Sequence, residues 1–198
     1  LLQYQVLVFT SPYGVERFFA ILMESGRDMR ALSHMRFAAI GQGTAEELKK
    51  RGIHADYVPA HYDGESLGKL LAGSLSDGTR ILLARSSMGG AEILAEIEKN
   101  PGLAYRDLAV YDTEFTGERK DMLGAFMESG AVTGVIFTSG STVEGFCRML
   151  GEEFPYETVR AVCIGEKTRR AAAGAGMQTA VAANATAEAL VACVMGKR

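Results

Sequence analysis

Two hydroxyl pairs stand where a helix is expected to begin. Thr10 and Ser11 follow an apolar run in "VLVFTSPYGVERFF". Thr138 and Ser139 follow another in "VIFTSGSTVEGF", with Ser141 two residues on. A serine ahead of a helix caps its first amides. The same hydroxyls, with the open amides behind them, can hold a carboxylate. The two roles share one resource and are compatible. Gly41 and Thr44 in "IGQGTAEEL", and Gly165 and Thr168 in "IGEKTRRAA", repeat the arrangement. Here the glycine is expected to make a tight turn and the threonine to cap the next helix. Lys167 has no counterpart in the first copy and could meet an anion or stay in solvent. Arg85 ends "RILLAR". It could clamp a carboxylate in a bidentate way or sit in a surface salt bridge. Tyr111, in "AVYDTEF", offers a phenol that can donate a hydrogen bond or a proton, or simply pack at a rim.

The familiar catalytic sets are missing. His34, His54 and His61 are scattered, with no metal-ligand spacing to a cysteine or carboxylate. No Gly-x-Ser-x-Gly elbow occurs, and "GSTVEGF" approaches it only loosely. The glycine spacing fits neither the dinucleotide fingerprint nor a phosphate-binding P-loop. The net charge of -3 and the lack of a basic patch with interleaved aromatics speak against nucleic acid. No stretch approaches the roughly 18 apolar residues of a membrane span. Cys147, Cys163 and Cys193 are too few and too irregular for a disulfide framework, and fit reduced thiols in the cytoplasm. An enzyme built from these parts would use neither metal nor nucleophile. It would act by holding a reactive small molecule in a chosen shape.

These groups need a scaffold that carries them to one edge. Apolar residues make up 47% of the 198, ordinary for a packed core. Apolar runs at 5–9, 36–40, 54–58, 80–84, 107–111, 132–137, 159–164 and 178–182 alternate with helical patterns at 13–24, 43–51, 65–74, 89–98, 118–129, 142–150, 167–175 and 186–195. Short continuous apolar runs separated by helices predict parallel sheets with helices on their faces, the α/β class. In such sheets ligands bind beyond the carboxyl ends of the strands.

The pattern is also duplicated. "VLVFTS", a helix, "FAAIGQGTAEELKKRG", "HADYVP" and "ESLGKLLAG" match "GVIFTS", a helix, "AVCIGEKTRRAAAGAG", "QTAVAA" and "TAEALVACVMG" in order and spacing. Thr10 pairs with Thr138, Gly41 with Gly165, Thr44 with Thr168 and Gly52 with Gly176. Two similar halves predict a ligand cleft between them. The first copy is followed by a further strand–helix–strand, "TRILLARSSMGGAEILAEIEKNPGLAYRDLAVYDT"; the second is not. The second domain is therefore expected to be incomplete, with its missing unit upstream of Leu1 and an exposed sheet edge near 132–138 that could pair with another chain.

Taken together and in order, "FTSPYGVERFF", "AAIGQGTAEELKKRGI", "AVYDT", "VIFTSGSTVEGF" and "CIGEKTRRAAAGAGM" resemble the uroporphyrinogen-III synthase family over essentially the whole chain. The resemblance implies two flavodoxin-like domains: an inserted domain at 1–111, and at 112–198 the C-terminal part of the other, whose N-terminal unit is absent. It implies closure of the linear tetrapyrrole hydroxymethylbilane to uroporphyrinogen III. Water is lost, ring D is inverted through a spiro intermediate, and no cofactor is needed. Tyr111 matches the family tyrosine that assists hydroxyl departure. Thr10, Ser11, Gly41, Thr44, Arg85, Thr138, Ser139, Ser141, Gly165 and Thr168 fall at positions implied to contact the substrate carboxylates. The chain departs from the family at Pro12-Tyr13, Glu166 and Arg169. Some members are fused to a tetrapyrrole methyltransferase, which is one origin for the abrupt start. A cytoplasmic monomer is expected. The rival expectation is a non-catalytic ligand-binding or regulatory module on the same duplicated fold.

Overall fold

The structure, a computed structural model, describes residues 1–196, so the last two residues of the expected 112–198 domain lie outside the described residues. The chain divides into two compact units, Leu1–Thr113 and Glu114–Arg198. Both are α/β, with parallel strands flanked by helices.

The first unit is built on strands β1 (Val6–Phe9), β2 (Arg36–Ala39), β3 (Arg80–Ser86) and β4 (Ala104–Tyr111), in the order β2-β1-β3-β4, all parallel. Strand β1 is central and fully buried, which its unbroken apolar run requires. Its side chains alternate between two cores. Leu7 and Phe9 pack with Val15, Phe18, Phe19 and Leu22 of α1 (Pro12–Glu24) and with Leu48 of α2 (Gln42–Lys49). Val6 and Val8 pack with Leu67 and Leu71 of α3 (Gly64–Ser74) and with Ile93 and Ile97 of α4 (Glu92–Ile97). Helices α3 and α4 meet at Gly68, where a Cβ would lie 2.6 Å from the Cβ of Glu96 and 2.8 Å from the Ile93 carbonyl.

The second unit holds β5 (Val135–Phe137), β6 (Arg160–Cys163) and β7 (Gln178–Val181), again parallel and in that order. Helices α5 (Lys120–Glu128), α6 (Gly140–Leu150), α7 (Glu166–Gly174) and α8 (Ala187–Val194) complete it. Phe146 of α6 centres the main core, its ring 5.4 Å from that of Phe137 and 6.4 Å from those of Phe154 and Tyr156. Matched strands of the repeat are not equally flanked. Strand β1 has β2 on one side and β3 on the other, whereas β5, among the described residues, pairs only with β6. Ile136 on that edge strand is 43% exposed.

One expected strand does not form. Residues 54–58 contribute a single bridge, Ala38 to Tyr57, outside any named strand. The Asp56 carboxylate accepts from the Phe37 N–H at 2.7 Å, taking a donor that a neighbouring strand would have used. Pro59 then has no N–H to continue a ladder. The matched stretch "QTAVAA" has neither residue and forms β7. The other boundaries shift by a few residues. Three-residue shifts occur at the starts of β4, β5 and α4, the last beginning at Glu92 after a turn in which the Gly89 amide donates to the Ser86 carbonyl. Gly52 and Gly176 close α2 and α7 with φ of 77° and 89°, where a side chain would be strained. The next amides, of Ile53 and Met177, reach back to Leu48 and Ala172.

Gly68→Ala should cost about 1–3 kcal/mol, because the obstructing Ile93 carbonyl is backbone and cannot swing aside; a shifted urea midpoint reads it. In the second unit, Tyr156 donates to the carbonyls of Cys147 (3.0 Å) and Gly151 (2.8 Å). Burial, and then the neighbouring Cys147, push its phenol from the ordinary 10.0 up to about 12. A raised folded value means the neutral form is favoured in the fold. Its contribution is complete below pH 10.0 and is lost as pH rises to about 12. The stability gap between the parent and Tyr156→Phe should therefore narrow across that window, and a constant gap would contradict the assignment.

Candidate functional site

A parallel sheet sends every strand to the same edge, and the helix that follows begins there. In the first unit this edge gathers Thr10 and Ser11 after β1, Gly41 after β2, Ser86 at the end of β3 and Tyr111 at the end of β4. In the second it gathers Thr138, Ser139 and Ser141 after β5, and Gly165 and Thr168 after β6.

The two serines are N-caps. Ser11 Oγ accepts from the Gly14 amide at 2.9 Å. Ser139 Oγ accepts from the Thr142 amide at 3.2 Å, and Thr142 Oγ1 accepts in return from the Ser139 amide at 3.3 Å, a reciprocal box. Each serine hydroxyl also touches a second hydroxyl. Ser11 Oγ lies 3.0 Å from the Tyr111 phenol, and Ser139 Oγ lies 2.9 Å from Ser141 Oγ. Thr10 is half-buried and Thr138 exposed, each directly before its cap.

Helices α2 and α7 begin differently. Their N-caps are Gly41 and Gly165, and neither start has a side-chain cap. Thr44 and Thr168, expected as caps, instead occupy the third helical position of each. They are buried to 2% and 4% exposure. Among the described residues neither hydroxyl has a hydrogen-bond partner, yet no buried side-chain polar atom is unsatisfied. Each hydroxyl therefore keeps a solvent-facing opening although its residue is almost wholly enclosed. Such a group, at a helix start with no side-chain cap, suits an incoming anion.

The glycines that start these helices are extended, with φ of -172° and -169°, so backbone freedom does not explain them. Space explains the first. A Cβ on Gly41 would lie 2.8 Å from Tyr62 Cγ, whereas one on Gly165 would meet nothing within 4 Å. Tyr62 thus lies directly against the α2 start, a placement that no motif in the sequence signals. Tyr13, noted only as a departure from the family, packs edge-on against Tyr111, with ring centroids 4.8 Å apart. Glu166 and Arg169, two further departures, pair with each other at the start of α7. Hydrogen bonding to Arg169 holds the Glu166 carboxyl below its usual range.

Arg85 does clamp a carboxylate in a bidentate way, and that carboxylate belongs to the protein. Nε and Nη2 donate to Asp107 at 2.8 and 2.6 Å, and Nη1 donates to the Gly90 carbonyl at 2.6 Å. Arg85 is 3% exposed while the Asp107 side chain keeps 38% of its surface, so the guanidinium is enclosed and the pair is half-buried, not the fully exposed salt bridge that was the alternative. Three donors of its fork are engaged within the fold. Among the described residues no cluster of His, Cys, Asp or Glu could hold a metal ion, and no helix is long and apolar enough to cross a membrane. A concave surface of about 360 Å³, lined by Lys120, Asp121 and Glu128 of α5 and by Met149, Leu150 and Phe154, includes none of these edge residues.

Known proteins share this sequence pattern and this fold. A porphyrin biosynthesis protein HemD from Ruminiclostridium josui is 28% identical over 189 residues, covering 96% of this chain and 37% of the relative. A uroporphyrinogen-III synthase from Chlorobaculum parvum is 28% identical over 168 residues, covering 82% of this chain and 66% of the relative. The chain thus spans less than two thirds of the length of either. The crystal structure of a mutant uroporphyrinogen III synthase from Thermus thermophilus superposes with a TM-score of 0.68 over 97% of this chain and 76% of that one, at 19% identity, a likeness of fold. Residues 1–192 match the family described as uroporphyrinogen-III synthase HemD, and with that match the chain belongs to this family.

Proposed function

We propose that this chain catalyses the closure of hydroxymethylbilane to uroporphyrinogen III, with loss of water and inversion of ring D. The observation that carries the reading is the 3.0 Å contact between Tyr111 and the capping Ser11, at the carboxyl edge of the sheet, in a member of this family.

The substrate is a flexible chain bearing acetate and propionate carboxylates, and its leaving hydroxyl needs a proton. Tyr111 supplies that proton. Ser11 Oγ already accepts the Gly14 amide, so its own hydrogen is free to point at the phenol oxygen. In that arrangement the Tyr111 proton faces the substrate. The carbon–oxygen bond breaks as the proton moves to the departing oxygen, and water leaves. The developing phenolate keeps the Ser11 donor, and the phenol is restored when the macrocycle gives up its proton. Tyr13 holds the Tyr111 ring in place from its edge.

The carboxylates are taken by donors rather than by a basic patch. Within the first unit these are Thr10, Ser11, and the α2 start at Gly41 with Thr44. Within the second they are Thr138, Ser139, Ser141, and the α7 start at Gly165 with Thr168. Open helix amides bind anions without a full positive charge. Arg85 is left out of this set because its fork is engaged with Asp107 and Gly90. The reaction on this reading needs no cofactor. Its setting is the cytoplasm, with the chain working as a monomer, alone or continuous with a methyltransferase domain.

The test makes hydroxymethylbilane in situ with this protein present and measures the ratio of isomer III to isomer I. Isomer III should predominate; isomer I alone would defeat the proposal. Tyr111→Phe should lower turnover on the order of 10²-fold with the circular dichroism spectrum unchanged. An unchanged rate would remove Tyr111 from the proton transfer. Thr44→Val and Thr168→Val should each raise KM roughly tenfold, the loss expected when a hydroxyl no longer bonds a charged group. Gly165→Ala, in open space, should leave the protein folded, with its thermal midpoint unchanged.

A further inference from the structure

Tyr111 reaches Ser11 only because β4 is irregular. Strand side chains alternate between the two faces of a sheet. Tyr105 packs into the core on the α3–α4 face, and Leu108 and Val110 into the core on the α1 face. Regular alternation from Tyr105 would carry 107, 109 and 111 to the α3–α4 face. Tyr111 is nevertheless in the α1-side core, with Leu108 and Val110. The pairing of β3 with β4 explains it. Arg85 pairs with Ala109, but the next residue, Ser86, pairs with Tyr111, so Val110 is one residue in excess. Such a bulge re-aims the side chain that follows it.

The residues around this bulge are tied to one side chain. Arg85 is the last residue of β3 before the register shifts. Its guanidinium holds Asp107, on the regular part of β4, and the Gly90 carbonyl, at the end of the β3–α4 turn. The same turn grips the bulged end. The Ser87 amide donates to the Tyr111 carbonyl at 3.1 Å, and Ser86 Oγ lies 3.2 Å from Thr113 Oγ1. The α3–α4 side of the turn is filled as well, since a Cβ on Gly89 would lie 2.7 Å from Arg85 Nη1.

We infer that Arg85 is a positioning residue for Tyr111: by joining Asp107 to the β3–α4 turn, it holds the one-residue bulge at Val110 that directs the phenol to Ser11. The link to turnover rests on the catalytic role proposed for Tyr111; the link to geometry does not. Lysine keeps the charge at position 85 but cannot bond two oxygens of Asp107 and the Gly90 carbonyl from one planar fork.

The test places 3-fluorotyrosine at position 111 of the full chain and follows it by fluorine NMR. In the parent, Ser11→Ala should move the signal. Arg85→Lys should displace the signal and abolish its response to Ser11→Ala. Gly89→Ala crowds the guanidinium while leaving both charges of the Arg85–Asp107 pair in place, and should displace the signal likewise if Arg85→Lys proves too unstable to study. A signal that stays at the parent position in these variants, and still responds to Ser11→Ala, would overturn the inference. In turnover, Arg85→Lys should lower kcat on the order of 10²-fold with KM within about twofold. A raised KM with kcat kept, and the fluorine signal unmoved, would make Arg85 a substrate clamp instead. Should Tyr111→Phe prove fully active, the proton-transfer reading falls, and the fluorine signal still decides whether Arg85 positions the ring.

Discussion

The first turn of a helix carries amides that its own backbone cannot satisfy. A parallel sheet multiplies this problem, because every strand delivers the chain to one edge and a new helix starts there. The protein resolves it in two ways, and uses the same pair of solutions in both units. The helix after the first strand of each copy is closed by a serine, Ser11 or Ser139. The helix after the second strand starts on a glycine and is left open, with an enclosed threonine hydroxyl beside it. Closed starts fix geometry, and open starts leave donors for something else. Much of what the edge can do chemically descends from that division.

The duplicated Phe-Thr-Ser is accordingly mostly about geometry. Ser11 ties down α1 and at the same time meets Tyr111, so helix placement and phenol placement share one oxygen. Ser139 has no phenol to meet and turns to Ser141. The two copies therefore keep one backbone role and differ in the partner of the spare hydroxyl. On the proposed reading, this difference in partner makes the first unit the one with a proton to give, while both units offer carboxylate donors.

The sequence was informative where a local rule decided the outcome. Seven of the eight expected strands form, because each is a short apolar run whose neighbours leave its ladder donors free. The eighth, 54–58, failed through a tertiary contact: Asp56 captured the Phe37 amide, a bond that no propensity at 54–58 could disclose. The serine caps were readable from type and position. The threonine caps were not, since placing Thr44 and Thr168 in the third helical position requires knowing that Gly41 and Gly165 already stand at the boundary. Tyr62 and the Val110 bulge were invisible for a related reason. The one depends on a loop folding back over a helix start, the other on a register shift between strands about twenty residues apart in sequence. Arg85 was legible as a carboxylate ligand but not as a ligand of Asp107, because the choice between an internal and an external partner is made only by packing.

Gly41 and Gly165 are the same letter at the same place in a repeat, yet they answer to different pressures. The ring of Tyr62 forbids a side chain at the first, while the second opens onto empty space. Side-chain packing therefore constrains position 41, unless Tyr62 changes with it, in a way that it does not constrain position 165. One loop tyrosine thus makes the same letter of the repeat sterically locked in one half and sterically open in the other.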